Sequence, residues 1–182
     1  MGRPLPLRTA LLTLVANVAL FQAGWLACVL GAAHGMPWAG IAVATAVIAW
    51  HAAHARRPAQ ELKLVALAVL AGALCDSALA ASGWIAFAPD AAAAVLAPWW
   101  ILAMWALFAT TLNVSLAWLR SRLPLAGLLG AMSGPLAYWG GARLGALELR
   151  QPAAALGGLA LVWAVVLPGL LAAARRLDRA AR

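Results

Sequence analysis

Six stretches of this chain are apolar for long enough, or nearly long enough, to cross a bilayer, and that repetition constrains the fold more than any motif. A helical span needs about 20 predominantly apolar residues to cross about 30 Å of hydrocarbon. Stretches 9–33, 37–54, 62–82, 95–118, 123–147 and 153–174 meet or approach that length, the second being the shortest. Hydrocarbon offers no water to an open backbone, so each stretch must satisfy its own N–H and C=O groups as a helix. The expected fold is therefore all-α: a polytopic transmembrane helical bundle of six spans, forming one domain over residues 1–182. Composition agrees. With 66% apolar residues, 10% charged residues and a mean hydropathy of +0.92, the chain has too little polar surface for a soluble domain. The links are short. His34-Gly35-Met36-Pro37 reads as a tight turn, and the longest link, 83–94, is expected to lie along the membrane interface.

Charge sets the orientation. The formal net charge of +8 is not gathered into one patch, as nucleic-acid binding would require, but falls between the apolar runs. Arg3, Arg8, Arg56, Arg57, Lys63, Arg120, Arg122, Arg175, Arg176, Arg179 and Arg182 would lie on one side, against Arg143 and Arg150 on the other. By the positive-inside rule both termini are expected in the cytoplasm. Trp38, Trp84, Trp99 and Trp100 fall near the outer boundary and Trp50 and Trp118 near the inner one, where aromatic belts form. Trp25, Trp105 and Trp163 sit deeper and read as helix-packing residues.

Soluble-enzyme chemistry has few footholds. Cys28 and Cys75 lie inside apolar runs with no Cys or His at ligand spacing, which argues against zinc and disulfide alike. The apolar run around Cys28 continues past it and is too long for a signal-peptide core, so the first segment is expected to be retained as a span. His34, His51 and His54 lie at membrane edges, and two histidines without a third ligand make a poor metal site. No nucleotide loop and no nucleophile with a base is visible. The expectation is no catalytic residue, no cofactor and no metal.

What remains is a set of polar side chains inside the spans. At about 1.5 Å per residue, Asp76 lies about 6 Å outward of the membrane centre, Asn17 and Asn113 about 6 Å inward, and Arg143 about 10 Å outward. Gln22 and Tyr138 lie near the middle. An ionisable group at that depth costs at least about 2.5–3.5 kcal/mol on insertion scales, so Asp76 needs a partner. Arg143 is the expected charged one; a protonated Asp76 on Gln22 or a backbone carbonyl is the neutral alternative. Asn17, Phe21 and Trp25 share one face of the first span, with Gln22 alongside. Asn17 and Asn113 are expected either to hydrogen-bond each other or to line, with Gln22, a polar cavity leading to Asp76. Glu61, three residues after Pro58, suits the first turn of a helix, where a carboxylate complements the dipole. With Arg56, Arg57 and Lys63 beside it, that loop could instead receive anionic lipid headgroups.

A stripe of small residues marks the fifth span: Gly130, Gly134, Ala137, Gly141 and Gly145 recur at steps of three and four. Such a ridge lets another backbone approach closely. It is expected to pack against a helix of the same chain, or to form a homodimer seam, with Pro135 bending the helix.

Three stretches carry a family likeness: NVALFQAGWLACVLG (17–31), PWWILAMWALFATTLNVSLAWL (98–119) and SGPLAYWGGARLGA (133–146). Together they resemble an uncharacterised family of small bacterial inner-membrane proteins, domain of unknown function 2878. The resemblance would cover essentially the whole chain. It implies a multi-pass protein of the bacterial cytoplasmic membrane, loosely associated with fatty-acid or phospholipid modification, and brings no catalytic residues.

Three functions are compatible with the sequence. One is an accessory or lipid-binding protein linked to membrane lipid modification, with membrane lipids, a second copy or a membrane enzyme as partners. Another is a small proton-coupled transporter with Asp76 as carrier, for which the echo of NVALF (17–21) in NVSLA (113–117) would suggest inverted repeats. The last is an intramembrane lipid-modifying enzyme. Asp76 and Glu61 are fifteen residues apart on one helix, about 22 Å along it, too far to serve one reacting centre.

Overall fold

The computed structural model describes residues 7–88 and 96–180; Arg3, Arg182 and residues 89–94 of the expected interfacial link lie outside the described residues. Six α-helices dominate what is described: α1 (Leu7–Ala33), α2 (Pro37–His54), α3 (Pro58–Ala81), α4 (Trp99–Leu112), α5 (Leu123–Arg143) and α6 (Pro152–Ala180). Their starts are written in proline. α2, α3 and α6 begin at Pro37, Pro58 and Pro152, and α5 carries Pro124 in its first turn. There the missing N–H has no helical acceptor to lose, and proline's φ is already helical.

The opposite ends are written in glycine. α1, α3 and α5 stop on Gly35, Gly83 and Gly145, whose φ angles are 70°, 71° and 86°. After α1, the Met36 N–H reaches back to the Gly31 carbonyl at 2.7 Å and the Gly35 N–H to Ala32 at 3.1 Å, which satisfies carbonyls the helix end would otherwise leave open. Ala146 repeats the first of these bonds to Gly141 after α5. Gly145 was expected on the packing stripe; it is a helix stop instead, because only a residue without Cβ takes that φ without strain.

α1 packs along α2, α5 along α6, and α4 lies among α1, α2 and α3, while α3 also meets α6. Of the expected stripe, Gly130 and Gly134 lie on the α5–α6 seam, while Ala137 lines a cleft on another side of α5. A Cβ at Gly130 would run into the backbone of Trp163, and one at Gly134 into the Trp163 ring. Gly127, outside the expected stripe, extends the seam to the Ala164 carbonyl, and Gly141 faces Leu147. The seam is thus filled from within the chain.

Two features depart from a plain helical bundle. Ile85–Phe87 (β1) pairs antiparallel with Leu147–Leu149 (β2), with Ile85 opposite Leu149, Ala86 opposite Glu148 and Phe87 opposite Leu147. The first part of the expected interfacial link is therefore a buried strand, with Ile85 and Phe87 inside the core. Extended backbone is tolerated there because its polar groups are paired across the ribbon. Trp100 packs edge-to-face on Phe87 and donates its indole N–H to the Ala88 carbonyl at 2.9 Å. At 1% exposure Trp100 belongs to the core and not to an outer aromatic belt.

The second departure is in α4. The expected span 95–118 is not one helix: α4 ends at Leu112, turns through 113–116 and resumes as a short 3-10 helix, Ala117–Ser121. α1, α3 and α6 are long and apolar enough to cross a membrane, and α4 is apolar but shorter. Large apolar side chains cover the outside, Leu7, Leu74, Leu161 and Val165 among them, each more than half exposed. A protein in water rarely presents so much contiguous apolar surface.

Candidate functional site

Asp76 is 1% exposed, and both its carboxyl oxygens are taken. The Tyr138 hydroxyl of α5 donates to Oδ1 at 2.5 Å, and the Trp105 indole N–H of α4 donates to Oδ2 at 2.6 Å. The local sequence of α3 makes room for this. Gly72, one turn before Asp76, lies where any Cβ would collide with the Trp105 ring, so the glycine admits the indole and the aspartate receives its N–H. Arg143, the expected partner, is elsewhere. It is exposed at the end of α5, its guanidinium 5.7 Å from the centre of the Trp139 ring. Two neutral donors hold Asp76, and among the described residues no cation pairs with it.

In front of this network α1, α4, α5 and α6 leave a cleft of about 380 Å³. Met104, Trp105, Leu107 and Phe108 of α4 line it, with Trp163 beside them; Phe21, Gln22 and Trp25 line it from α1, and Ser133, Gly134, Leu136, Ala137 and Tyr138 from α5. Gln22 and Ser133, both exposed, stand at its mouth. The aromatic rings are locked to one another. Trp105 stacks on Trp163 with centroids 4.8 Å apart and an interplanar angle of 12°, and Phe108 meets both Trp163 and Phe21 edge-on. Trp105 spends its N–H on Asp76, whereas the Trp163 Nε1 is buried and has no hydrogen-bond partner. Native structures rarely leave such a donor unpaired without a reason.

Asn17 and Asn113 do not meet each other. Asn17 Nδ2 donates to the Thr110 carbonyl at 3.1 Å, and its Oδ1 accepts the Ser115 N–H at 3.3 Å. In an unbroken helix Thr110 would receive the N–H of Val114, but that N–H turns to Thr111 instead. Asn17 thus splints the break in α4, supplying from α1 the bonds the turn removes.

Asn113, released by the break, points its Nδ2 at Glu61 Oε1, 2.9 Å away, and His51 Nε2 lies 3.1 Å from the other oxygen, Oε2. Glu61 occupies the first turn of α3, as its position after Pro58 suggested, but it is only 14% exposed and forms the floor of a basin of about 770 Å³. Thr13, Asn17, Trp50, His51, Arg56, Arg57, Asn113, Arg120 and Asp178 also line this basin, so the start of α1, the ends of α2, α4 and α6 and the start of α3 meet at one end of the bundle. Arg120 forms an ion pair with Asp178, and Arg57 donates to the Asp178 carbonyl at 3.0 Å. Asn113 Oδ1 is buried without a partner.

The expected single polar cluster is therefore divided. Asp76 and Tyr138 form a closed network behind the cleft, Gln22 stands at its mouth, Asn17 and Asn113 belong to the basin, and Arg143 joins none of these. Sequence reading missed Trp105 as the partner of Asp76, although Gly72 and Asp76 at i and i+4 marked a face with space for a ring and an acceptor for its N–H. It also missed the His51–Glu61–Asn113 chain, whose members lie on α2, on α3 and in the turn after α4. Among the described residues no group of three or more His, Cys, Asp or Glu side chains could hold a metal ion.

The long apolar helices and the lipid-like exterior define an α-helical membrane protein. Within that class the chain belongs to the family described as a protein of unknown function (DUF2878), whose match spans residues 14–169 and so includes both the cleft and nearly all of the basin. No curated protein and no solved structure matches the chain.

Proposed function

We propose that this is a six-span, multi-pass protein of the bacterial cytoplasmic membrane, with both termini inside, that holds the apolar part of a membrane lipid in the cleft between α1 and α5. The observation that carries this reading is the unpartnered Trp163 Nε1 beside an otherwise apolar cleft. Its volume of about 380 Å³ falls in the range of about 300–1,000 Å³ typical of small-molecule sites. Aromatic and aliphatic walls suit an acyl chain, and a lone buried donor calls for one acceptor, such as an ester or carboxyl oxygen. The mouth residues Gln22 and Ser133 suit the same polar linkage.

Holding a ligand fits better than transforming or transporting one. Both oxygens of Asp76 accept hydrogen bonds and the group is sealed from solvent, which suits a wall-building residue more than a proton carrier or a general acid. Glu61 lies in the separate basin, so the two carboxyl groups cannot cooperate on one substrate. A lipid-binding accessory protein, working beside a membrane enzyme or as a homodimer, is the role this supports.

Native mass spectrometry of the purified protein tests it. A co-purifying lipid is expected, reduced about tenfold in occupancy by Ala137→Trp, which fills the cleft. Trp163→Phe should weaken binding without lowering the melting temperature. An unchanged lipid complement in a folded Ala137→Trp protein would overturn the reading.

A further inference from the structure

The basin at the end of the bundle has its own chemistry, and its floor and rim call for opposite partners. On the floor the groups are acceptors. Glu61 receives one donor on each oxygen, from His51 and Asn113, and a carboxylate with about four lone-pair sites has capacity left. Asn113 Oδ1 lies buried with nothing donating to it. Rotating the amide would not cure this, because the oxygen would then face the Glu61 carboxylate; its orientation is fixed by the hydrogen-bond network. A buried carbonyl oxygen left unpaired costs about 1–3 kcal/mol, so a donor from outside the chain is the natural completion.

On the rim the groups are donors. Arg56, Arg57 and Arg120 line the basin. Asp178 holds two of them in place, Arg57 through its carbonyl and Arg120 through its carboxylate. Each guanidinium has five N–H donors in a planar fork that suits phosphate, and those bonds leave most of them free. Arg56 is exposed beside them.

The geometry points to a binding site for a phosphoryl-amine group: its phosphate on the Arg56, Arg57 and Arg120 rim, its N–H donors on Glu61 and Asn113 Oδ1. Phosphoethanolamine has this chemistry, either as the headgroup of a phospholipid or as a free soluble ester. The cleft and the basin follow each other along α1 and α4, Phe21 lying one turn from Asn17 and Phe108 five residues from Asn113. One lipid could fill both, and in that form the inference rests on the lipid-binding reading above.

The discriminating probe is the ammonium. Ethanolamine and choline headgroups share phosphate and positive charge, but a quaternary ammonium has no N–H to donate. Native mass spectrometry with equimolar phosphatidylethanolamine, phosphatidylcholine and phosphatidylglycerol should give an ethanolamine-to-choline preference of about tenfold, the equivalent of one to two hydrogen bonds. Asn113→Leu should abolish that preference, and Arg56→Gln, an exposed change that leaves the fold intact, should weaken all three lipids alike. Equal binding of the choline and ethanolamine lipids to the unaltered protein would overturn the proposal. So would an unchanged preference in a folded Asn113→Leu protein.

Glycerophosphoethanolamine, titrated calorimetrically, separates the sources. Binding of the soluble ester that survives Ala137→Trp assigns the basin its own site and would hold even if no lipid occupied the cleft. Lipid binding that Ala137→Trp abolishes, but that neither basin variant alters, would leave the cleft reading standing and remove this one.

Discussion

Tyr138 donates its hydroxyl to Asp76 Oδ1 across 2.5 Å in the interior of the bundle, joining α5 to α3. Trp105 completes the pair of donors, so both carboxyl oxygens are satisfied by neutral groups. Removing one partner of a buried hydrogen bond costs about 1–3 kcal/mol, because the remaining group keeps its desolvation penalty. Tyr138→Phe and Asp76→Leu should each lower stability by that amount in thermal unfolding in detergent. Their double mutant should fall short of the sum by about 0.5–3 kcal/mol, the usual coupling of contacting residues. Arg143→Gln should change stability by no more than about 1 kcal/mol, the worth of its exposed contact with Trp139. A larger loss for Arg143 than for Tyr138 would mean that the carboxyl group is charged and pairs with the arginine after all.

Asn17 makes a second, local prediction. Asn17→Leu keeps the volume but abandons the Thr110 carbonyl and the Ser115 N–H where α4 breaks. Two backbone groups lose partners where the chain is least able to replace them, and a loss of about 2–5 kcal/mol is expected, roughly 1–3 for each group less what water recovers. Hydrogen exchange should rise at residues 113–116 before it rises elsewhere. Unchanged exchange in that turn would show that Asn17 does not splint it.

How far the sequence reveals this molecule follows from the range of each signal. Proline starts, glycine stops and apolar length act within a few residues, and they locate α1, α2 and α3 to within a few residues of the expected boundaries. The break in α4 is different. Residues 95–118 are apolar enough to read as one span despite Thr110, Thr111, Asn113 and Ser115, and the polar groups of the turn at Asn113 are met by Asn17 and Glu61 from other helices. The β ribbon is equally non-local: Ile85–Phe87 finds its partner some sixty residues later. Asp76 stands out in the sequence as a lone carboxylate, but its pairing with Tyr138 and Trp105 and not with Arg143 depends on helix rotation. Depth along a helix is legible in a sequence; direction around it is not, unless a glycine such as Gly72 shows where a large neighbour must fit.

The glycine seam gives a graded prediction. Gly130→Ala places a methyl against the Trp163 backbone carbonyl, which cannot rotate away, and Gly134→Ala places one against the Trp163 ring. Overpacking of this kind costs about 1–3 kcal/mol, and separation of α5 from α6 should also disturb the Trp105–Trp163 stack, seen as a changed near-ultraviolet circular dichroism signal. Gly157→Ala, with open space around the site, should be neutral or stabilising because alanine favours the helix. Gly145→Ala should destabilise for a separate reason, its φ of 86°, and leave the indole signal intact.

The remaining prediction concerns orientation. Arg56, Arg57, Arg120 and Asp178 line one basin, so the ends of α2, α4 and α6 and the start of α3 lie at the same end of the bundle, the end richest in basic residues. Gly35, Gly83 and Gly145 close α1, α3 and α5, so these turns belong to the opposite end. By the positive-inside rule the basic end should face the cytoplasm. Reporter fusions after Ala33 and Gln151 should report the outer side, and fusions after Arg57, Arg122 and Ala180 the cytoplasm. Substituting Arg56, Arg57 and Lys63 with glutamine should weaken that bias more than substituting Arg143 and Arg150, since charges retained on the inner side set topology and those on the outer side oppose it. An outer location for the Arg57 fusion would invert the bundle and open the basin to the other leaflet. The same location for the Ala33 and Arg57 fusions would instead mean that α2 does not cross. Its 18 residues span about 27 Å, close to the minimum for a hydrocarbon core, so α2 is where the six-span reading is most exposed to test.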